Sequence, residues 1–159
     1  MDSMAEIYFE RASNELLAAE SLKKLSEDSK AKEEFSLPQK TTFYSSVISH
    51  SYYSVFYAAK AILLTKKIKT DAPNVHKKTY DEFKRAFVDT GMLDVKLLNI
   101  YKSMVVKADD LLALYRDSKW KRGKFTYKTI PQANKEPAEE SIKNSKTFMA
   151  NIGKVIKGK

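Results

Sequence analysis

Four side chains that join a ring or a long stem to a polar tip recur along one apolar stretch. They are His50, Tyr53, Tyr57 and Lys60, and the last three follow the first by three, seven and ten residues. On a helix this spacing places all four along one side. Such a row could bind a nucleotide, because the rings can stack on a base while Lys60 contacts a phosphate. Residues of this kind are also common where helices pack together, with the lysine reaching out to water.

A second group of basic and aromatic residues lies after residue 118, and its members are Lys119, Trp120, Lys121, Arg122, Lys124, Phe125 and Tyr127. Cations pair with phosphates and rings stack on bases, so this composition is typical of segments that bind single-stranded RNA. Helical periodicity is broken here, which predicts an extended basic arm at about 119–131. The alternative is an arm that packs its aromatic side chains onto the folded chain, because an exposed Trp120 would be costly.

The sequence lacks the residues that most other catalytic and cofactor sites require. It contains no Cys and two His, which excludes thiolate chemistry, Cys-based zinc sites and an all-His metal site within one chain. Its four Gly are scattered, and no glycine-rich phosphate loop is present. We therefore expect no metal and no other cofactor, and we assign no catalytic residue.

The row formed by His50, Tyr53, Tyr57 and Lys60 lies along one side only if residues 50–60 belong to a helix. Residues 48–64 contain no Gly or Pro and repeat their apolar side chains at helical spacing, which predicts a buried helix from about Lys40 to Lys66. Its inner stripe is formed by Ile48, Tyr52, Val55, Ala59 and Ile62. Because large residues occupy two opposed sides of this helix, we expect a homodimer that uses a face of the central or the fourth helix.

The same periodicity predicts the other helices at about 3–25, 75–89, 95–118 and 137–157. The first is predicted to be scaffold, and the polar stretch Ser26–Gln39 is predicted to be a connection. Gly91 is typical of a left-handed helix end, and Asp94 of the cap that starts the next helix. The chain is thus predicted to be an all-α, antiparallel up-and-down bundle of four to five helices.

Composition sets the outer bounds on this prediction. The 159 residues are 43% apolar and 31% charged, as expected of one folded domain over residues 1–159. No apolar run approaches the roughly 20 residues of a membrane span, and we expect a cytoplasmic protein without a membrane partner. Residues 117–159 hold 11 basic against 4 acidic side chains, a surplus that suits a polyanionic partner or simply aids solubility.

The central stretch also carries a family resemblance. Residues 51–63, SYYSVFYAAKAIL, resemble the Tyr-Tyr-x-x-Phe-x-Ala-x-x-Ala-Leu-Leu signature of HEPN domains, which are small helical proteins. His76, the run from Phe83 to Gly91 and the pair Ala108-Asp109 resemble the second half of the family pattern, so the resemblance covers about residues 5–116. One position departs from it, because the family usually has Arg where this chain has His50.

The resemblance implies a nucleotide- or RNA-associated accessory protein, often paired with a small nucleotidyltransferase in toxin–antitoxin-like modules. It adds two residues of the fourth predicted helix, Asp109 and Arg116, to the candidate nucleotide-binding set, although exposed charge on a bundle surface is the commoner explanation. Family members that cut RNA share an Arg followed four to six residues later by His, and no Arg of this chain is followed by His at that spacing. We therefore expect no ribonuclease activity of the familiar type. An active ribonuclease with altered residues and a non-catalytic assembly scaffold are the alternatives.

Overall fold

The computed structural model describes residues 3–120 and 135–158, and for residues 109–120 it describes the backbone alone. Over these ranges the chain forms helices and no strands, which confirms the predicted all-α fold. The helices are α1 (Ser3–Glu27), α2 (Ser29–Glu34), α3 (Tyr44–Thr65), α4 (Val75–Phe83), α5 (Val95–Trp120) and α6 (Lys135–Ile156), and a π-helical turn (Lys84–Val88) extends α4. None of the described helices combines the length and the apolar character that crossing a membrane requires.

The centre of the bundle is α3, which contacts α1, α4, α5 and α6. The predicted inner stripe is confirmed, since each of its five members is at most 8% exposed. The side of α3 that faces α1 is also buried, and there the residues are small, as at Ser54, Ala58 and Ala61. Small side chains on both helices let their backbones approach closely, so α3 is covered along most of its length.

The partner helix α1 carries Ala at every seventh position of its inner face. Ala5, Ala12 and Ala19 are all fully buried. Tyr8 lies beside Tyr57, and Glu15 lies beside His50, so the two helices run in opposite directions. In this register, one edge of α1 lies beside the row formed by His50, Tyr53, Tyr57 and Lys60.

A cluster of rings holds the other side of the bundle together. Phe83 of α4, Tyr101 of α5 and Phe148 of α6 are fully buried, and their ring centroids lie 5.4 to 5.8 Å apart. Burial holds the pKa of the Tyr101 hydroxyl well above its ordinary value, so this group stays neutral. An ion pair between Lys107 and Glu140 joins α5 to α6 farther along, at 3.0 Å, as an antiparallel arrangement of the two helices requires.

The predicted connection between the first two long helices is wrong over residues 29–34, which form the short helix α2. Asp28 caps this helix, because its carboxylate accepts a hydrogen bond from the Ala31 amide at 3.0 Å. The central helix begins at Tyr44 rather than near Lys40. The Phe43 amide donates to the Ser26 hydroxyl at 2.7 Å, so α1 holds the chain just before α3 begins.

The helix predicted over residues 75–89 changes its winding at Lys84. The carbonyl of Ala86, in the last turn of this element, accepts hydrogen bonds from the Lys66 ammonium at 2.7 Å and from the Thr90 hydroxyl at 3.0 Å. Two predictions that follow this turn are confirmed. Gly91 has a φ of 75°, and the Asp94 carboxylate accepts from the Lys96 amide at 2.8 Å.

The predicted arm begins later than expected. Lys119 and Trp120 belong to α5, so an extended conformation from residue 119 is wrong for these two positions. The remainder of the arm, residues 121–131, lies outside the described residues. The last helix begins at Lys135, two residues before the predicted start, and Pro137 occupies its first turn, where a missing amide hydrogen costs nothing.

Candidate functional site

The row predicted on the central helix lies at the edge where α3 meets α1. Its partners on α1 are Tyr8, Arg11 and Glu15, which follow one another by three and four residues. His76, the second residue of α4, completes the group on the far side of α3. We call this set the aromatic–basic face, and its members are Tyr8, Arg11, Glu15, His50, Tyr53, Tyr57, Lys60 and His76.

One end of the face is a hydrogen-bonded contact between α1 and α3. The Nδ1 atom of His50 lies 2.5 Å from Oε2 of Glu15, and the two side chains are 39% and 19% exposed. A carboxylate at this distance orients the imidazole and leaves its other ring nitrogen directed away from the pair. The pair therefore links α1 to α3 at this point and keeps one polar atom of His50 available.

The middle of the face is a stack of three tyrosine rings. Tyr57 lies between Tyr8, at a centroid distance of 6.1 Å, and Tyr53, at 6.2 Å. The guanidinium carbon of Arg11 sits 4.4 Å above the Tyr57 ring, within the range of a cation–π contact. Burial raises the pKa of the Tyr57 hydroxyl although Arg11 opposes the shift, so the hydroxyl stays protonated.

At the other end of the face, Lys60 has defined contacts instead of pointing freely into water. Its ammonium donates to the Thr70 carbonyl at 3.0 Å and lies 4.8 Å above the Tyr8 ring. An ammonium carries three hydrogens, so one such bond leaves donors for a ligand. Lys60 therefore presents a positive charge at a fixed place beside the tyrosine stack.

His76 joins the face from α4. Its Nδ1 atom is 2.7 Å from the Tyr52 hydroxyl, and its ring stacks on Phe56 at a centroid distance of 4.2 Å. His76 is exposed, so its hydrogen bond to Tyr52 lies at the surface of the bundle and not in the core. The ring also lies edge-on to Tyr53, 6.0 Å away, so it extends the aromatic surface beyond the row on α3.

The electrostatics of the face depend on which charges are compensated. Glu15 is paired with His50, whereas Arg11 makes no ion pair within the part of the chain that the structure describes. Arg11 is exposed, and so is Tyr53, at 39%. A cation held over one ring and an open ring next to it form a surface suited to a planar, negatively charged ligand.

The structure brings His50, Tyr53, Tyr57 and Lys60 together as one edge of a larger surface. The α1 side of that surface was not predicted from the sequence. The first helix was predicted to be scaffold, yet it supplies Tyr8, Arg11 and Glu15. A signal for them exists, because these three residues are spaced by three and four, as are His50, Tyr53 and Tyr57.

The structure does not describe the side chains of the other predicted binding residues. Asp109, Arg116, Lys119 and Trp120 lie on the α5 backbone, but their side chains are outside the described residues. The arm residues Lys121, Arg122, Lys124, Phe125 and Tyr127 lie entirely outside them. Among the described side chains, no three His, Asp or Glu converge on a point where a metal ion could bind.

The chain is similar to one protein family and to two toxin-named relatives. A family model described as "HEPN domain" matches residues 5–155. A protein of Methanocaldococcus jannaschii named "Putative toxin MJ0142" is 44% identical over 55 residues, so the match spans 35% of this chain and only 35% of that relative's length. "Putative toxin MJ0605" of the same organism is 29% identical over 114 residues, which is 72% of each chain. No solved structure matches the chain at a comparable level.

Proposed function

The chain belongs to the HEPN domain family, and we propose that it is a nucleotide- or RNA-associated accessory protein of a toxin–antitoxin-like module. The names of the two Methanocaldococcus jannaschii relatives support the toxin-like context. Within that context, the proposed role of this chain is to bind ribonucleotides through the aromatic–basic face. The partner that completes the module is proposed to be a small nucleotidyltransferase.

The observation that carries this proposal is the tyrosine stack flanked by two cations. Arg11 and Lys60 lie over the Tyr57 and Tyr8 rings, and the neighbouring Tyr53 ring is partly open to solvent. Stacking of a base on an aromatic side chain contributes about 1–3 kcal/mol, and each phosphate contact adds a salt-dependent contribution. Both kinds of group are present within one surface, which suits a nucleotide or a short single strand.

The same contacts also support a purely structural role for part of the row. His50 joins α3 to α1 through Glu15, and Tyr57 is half-buried between its neighbours. The proposal therefore rests on the groups at the open edge of the face, Arg11, Tyr53 and Lys60. The row His50, Tyr53, Tyr57 and Lys60 is partly covered by α1, so it is no longer a reason to expect a second protein chain on that side of α3. The homodimer therefore stands as a separate proposal.

Purification of the full chain from cells that produce it naturally tests this function. We expect ribonucleotide material that is sensitive to ribonuclease, together with a nucleotidyltransferase, to remain bound through size-exclusion chromatography. The double variant Arg11→Gln, Lys60→Gln should lose the ribonucleotide material because both cations are gone. A wild-type protein free of nucleic acid, nucleotide and nucleotidyltransferase would contradict the proposal and favour an assembly scaffold.

A second function, an active ribonuclease with altered residues, has one observation in its favour. Metal-independent RNA cleavage requires a base for the 2′-hydroxyl and a cation for the developing phosphate charge. The Glu15–His50 pair offers an oriented imidazole, and Arg11 lies one helical turn before Glu15 on the same helix. The sequence spacing typical of the family cannot reveal such a pair, because its members come from different helices.

Incubation of the purified protein with single-stranded RNA separates the two functions. Binding without cleavage is the result we expect from the proposed accessory role. Cleavage that persists after rigorous purification, and that His50→Asn abolishes while Lys84→Gln leaves it intact, would overturn that expectation. A circular dichroism spectrum of His50→Asn would establish that the helices remain folded.

A further inference from the structure

A small cavity opens beside the Tyr8 end of the aromatic–basic face. Its volume is about 210 Å³, and it lies between the start of α1, the end of α3 and the loop that follows α3. Tyr8 and Lys60 line it, so the cavity and the face share two residues. Whatever stacks along the face can therefore extend directly into the cavity.

The size of the cavity restricts what it can hold. Pockets that enclose a whole drug-sized ligand have volumes of about 300–1,000 Å³, and this cavity is smaller. It can hold one planar ring system but not a complete nucleotide. The sugar and phosphate of a nucleotide whose base entered the cavity would remain outside, where Arg11 presents positive charge.

The walls combine apolar and polar groups in a way that suits a nucleobase. Met4, Leu64 and Ile68 supply apolar surface for the faces of a ring. Asp71 is the acidic residue of the lining, and a carboxylate accepts hydrogen bonds without donating any. Lys60, which keeps donors beyond its bond to the Thr70 carbonyl, can donate to a carbonyl oxygen.

Among the four RNA bases, guanine matches this pairing of acceptor and donor. Its Watson–Crick edge presents two adjacent N–H donors, which one carboxylate can accept together, and next to them a carbonyl oxygen for an ammonium donor. Adenine and cytosine each place a ring-nitrogen acceptor beside their amino group, and that acceptor would face the carboxylate without a hydrogen. Uracil offers a single N–H donor between two carbonyl oxygens. A site that hydrogen-bonds its ligand rejects analogues that leave its polar groups unpaired.

We propose that this cavity binds the guanine base of a ribonucleotide, either as a free nucleotide or at the end of a single strand whose next bases stack along the tyrosines. This inference rests on the proposed function, because it assigns a base preference to the same surface.

Equilibrium binding of short RNAs to the full chain tests the inference. The probes are an oligouridylate octamer, the same octamer with a terminal guanosine, the same with a terminal adenosine, and guanosine monophosphate alone. We expect the guanosine-ended strand to bind about tenfold more tightly than the other two strands. Asp71→Asn should abolish this preference, because an amide turns one acceptor into a donor that opposes the base. Asp81→Asn, a matched change at an exposed carboxylate outside the cavity, should leave the preference intact.

A second variant tests whether Asp71→Asn acts on the cavity itself or only by altering the loop after α3 that carries Asp71. Met4→Trp should also remove the preference, because Met4 is exposed at the mouth and a larger ring there would fill the cavity. Equal binding of all three strands by the wild type, unchanged by Asp71→Asn, would overturn the guanine site and leave the proposed function standing. If no strand and no nucleotide binds, both fail. Binding of guanosine monophosphate as tight as that of the guanosine-ended strand would uphold the guanine site and identify a free nucleotide as its ligand.

Discussion

Replacing Arg11 and Lys60 together by Gln is expected to weaken binding of single-stranded RNA about a hundredfold at low salt, because two charge-assisted contacts to phosphate are lost. Gln keeps a polar side chain and a high helix propensity, so neither helix should be destabilised much. The slope of log affinity against log salt concentration should become shallower by about 1.4, at about 0.7 per lost single-strand contact. Fluorescence anisotropy over a series of salt concentrations measures both quantities.

The control is a pair of cations of the same types on another surface. Lys84 and Arg85 are exposed and are paired with Asp89 and Glu82, so changing both to Gln removes the same formal charge. This variant should bind RNA nearly as the wild type does. An equal loss of affinity in the two double variants would mean that RNA responds only to net charge, and that the aromatic–basic face has no special part in binding.

Replacing Phe83 by Ala is expected to lower the free energy of unfolding by about 3–5 kcal/mol, which is a large share of the stability of a domain of this size. The Phe83 ring is fully buried and lies against Phe87, Tyr101 and Phe148. Truncation would leave a cavity where α4, α5 and α6 meet, and the rigid rings around it cannot collapse to fill it. Urea denaturation followed by circular dichroism measures the change.

Phe35 supplies the comparison for this prediction. It follows α2 and is 66% exposed, so Phe35→Ala should change the free energy of unfolding by no more than about 0.5 kcal/mol. A loss of similar size in both variants would show that the ring cluster is not the main core of the bundle. Phe83 also packs α4, the helix that carries His76, against the bundle. Phe83→Ala should therefore also broaden the NMR signals of residues in the aromatic–basic face.

Helical periodicity was sufficient to predict the elements that carry the site. The stripe from Ile48 to Ile62 is buried as expected, and Gly91 and Asp94 end and begin helices where their chemistry favours it. Such signals are local, since they depend on the spacing of side chains along one helix or on the backbone preference of one residue. The family resemblance drew on the same stretch, and for that reason it identified the fold well.

The features that the sequence did not predict depend on contacts between distant segments. The π-helical turn is stabilised by Lys66, which lies 20 residues earlier than the Ala86 carbonyl that it contacts. The α1 side of the aromatic–basic face became part of the site because the Ala-lined packing sets Glu15 opposite His50, a register that no single helix specifies. An Arg–His pattern read along the chain cannot detect groups that two helices bring together.

Single-stranded RNA is proposed to bind at the edge between α1 and α3. Photo-crosslinking of the full chain to RNA that contains 4-thiouridine, followed by peptide mass spectrometry, tests it most directly. We expect crosslinks to Tyr53 and to the neighbouring residues Tyr8 and Tyr57, and we expect excess unlabelled RNA to abolish them. Specific crosslinks found only in the basic segment 119–128, with none on α1 or α3, would contradict the claim and transfer the binding site to the arm.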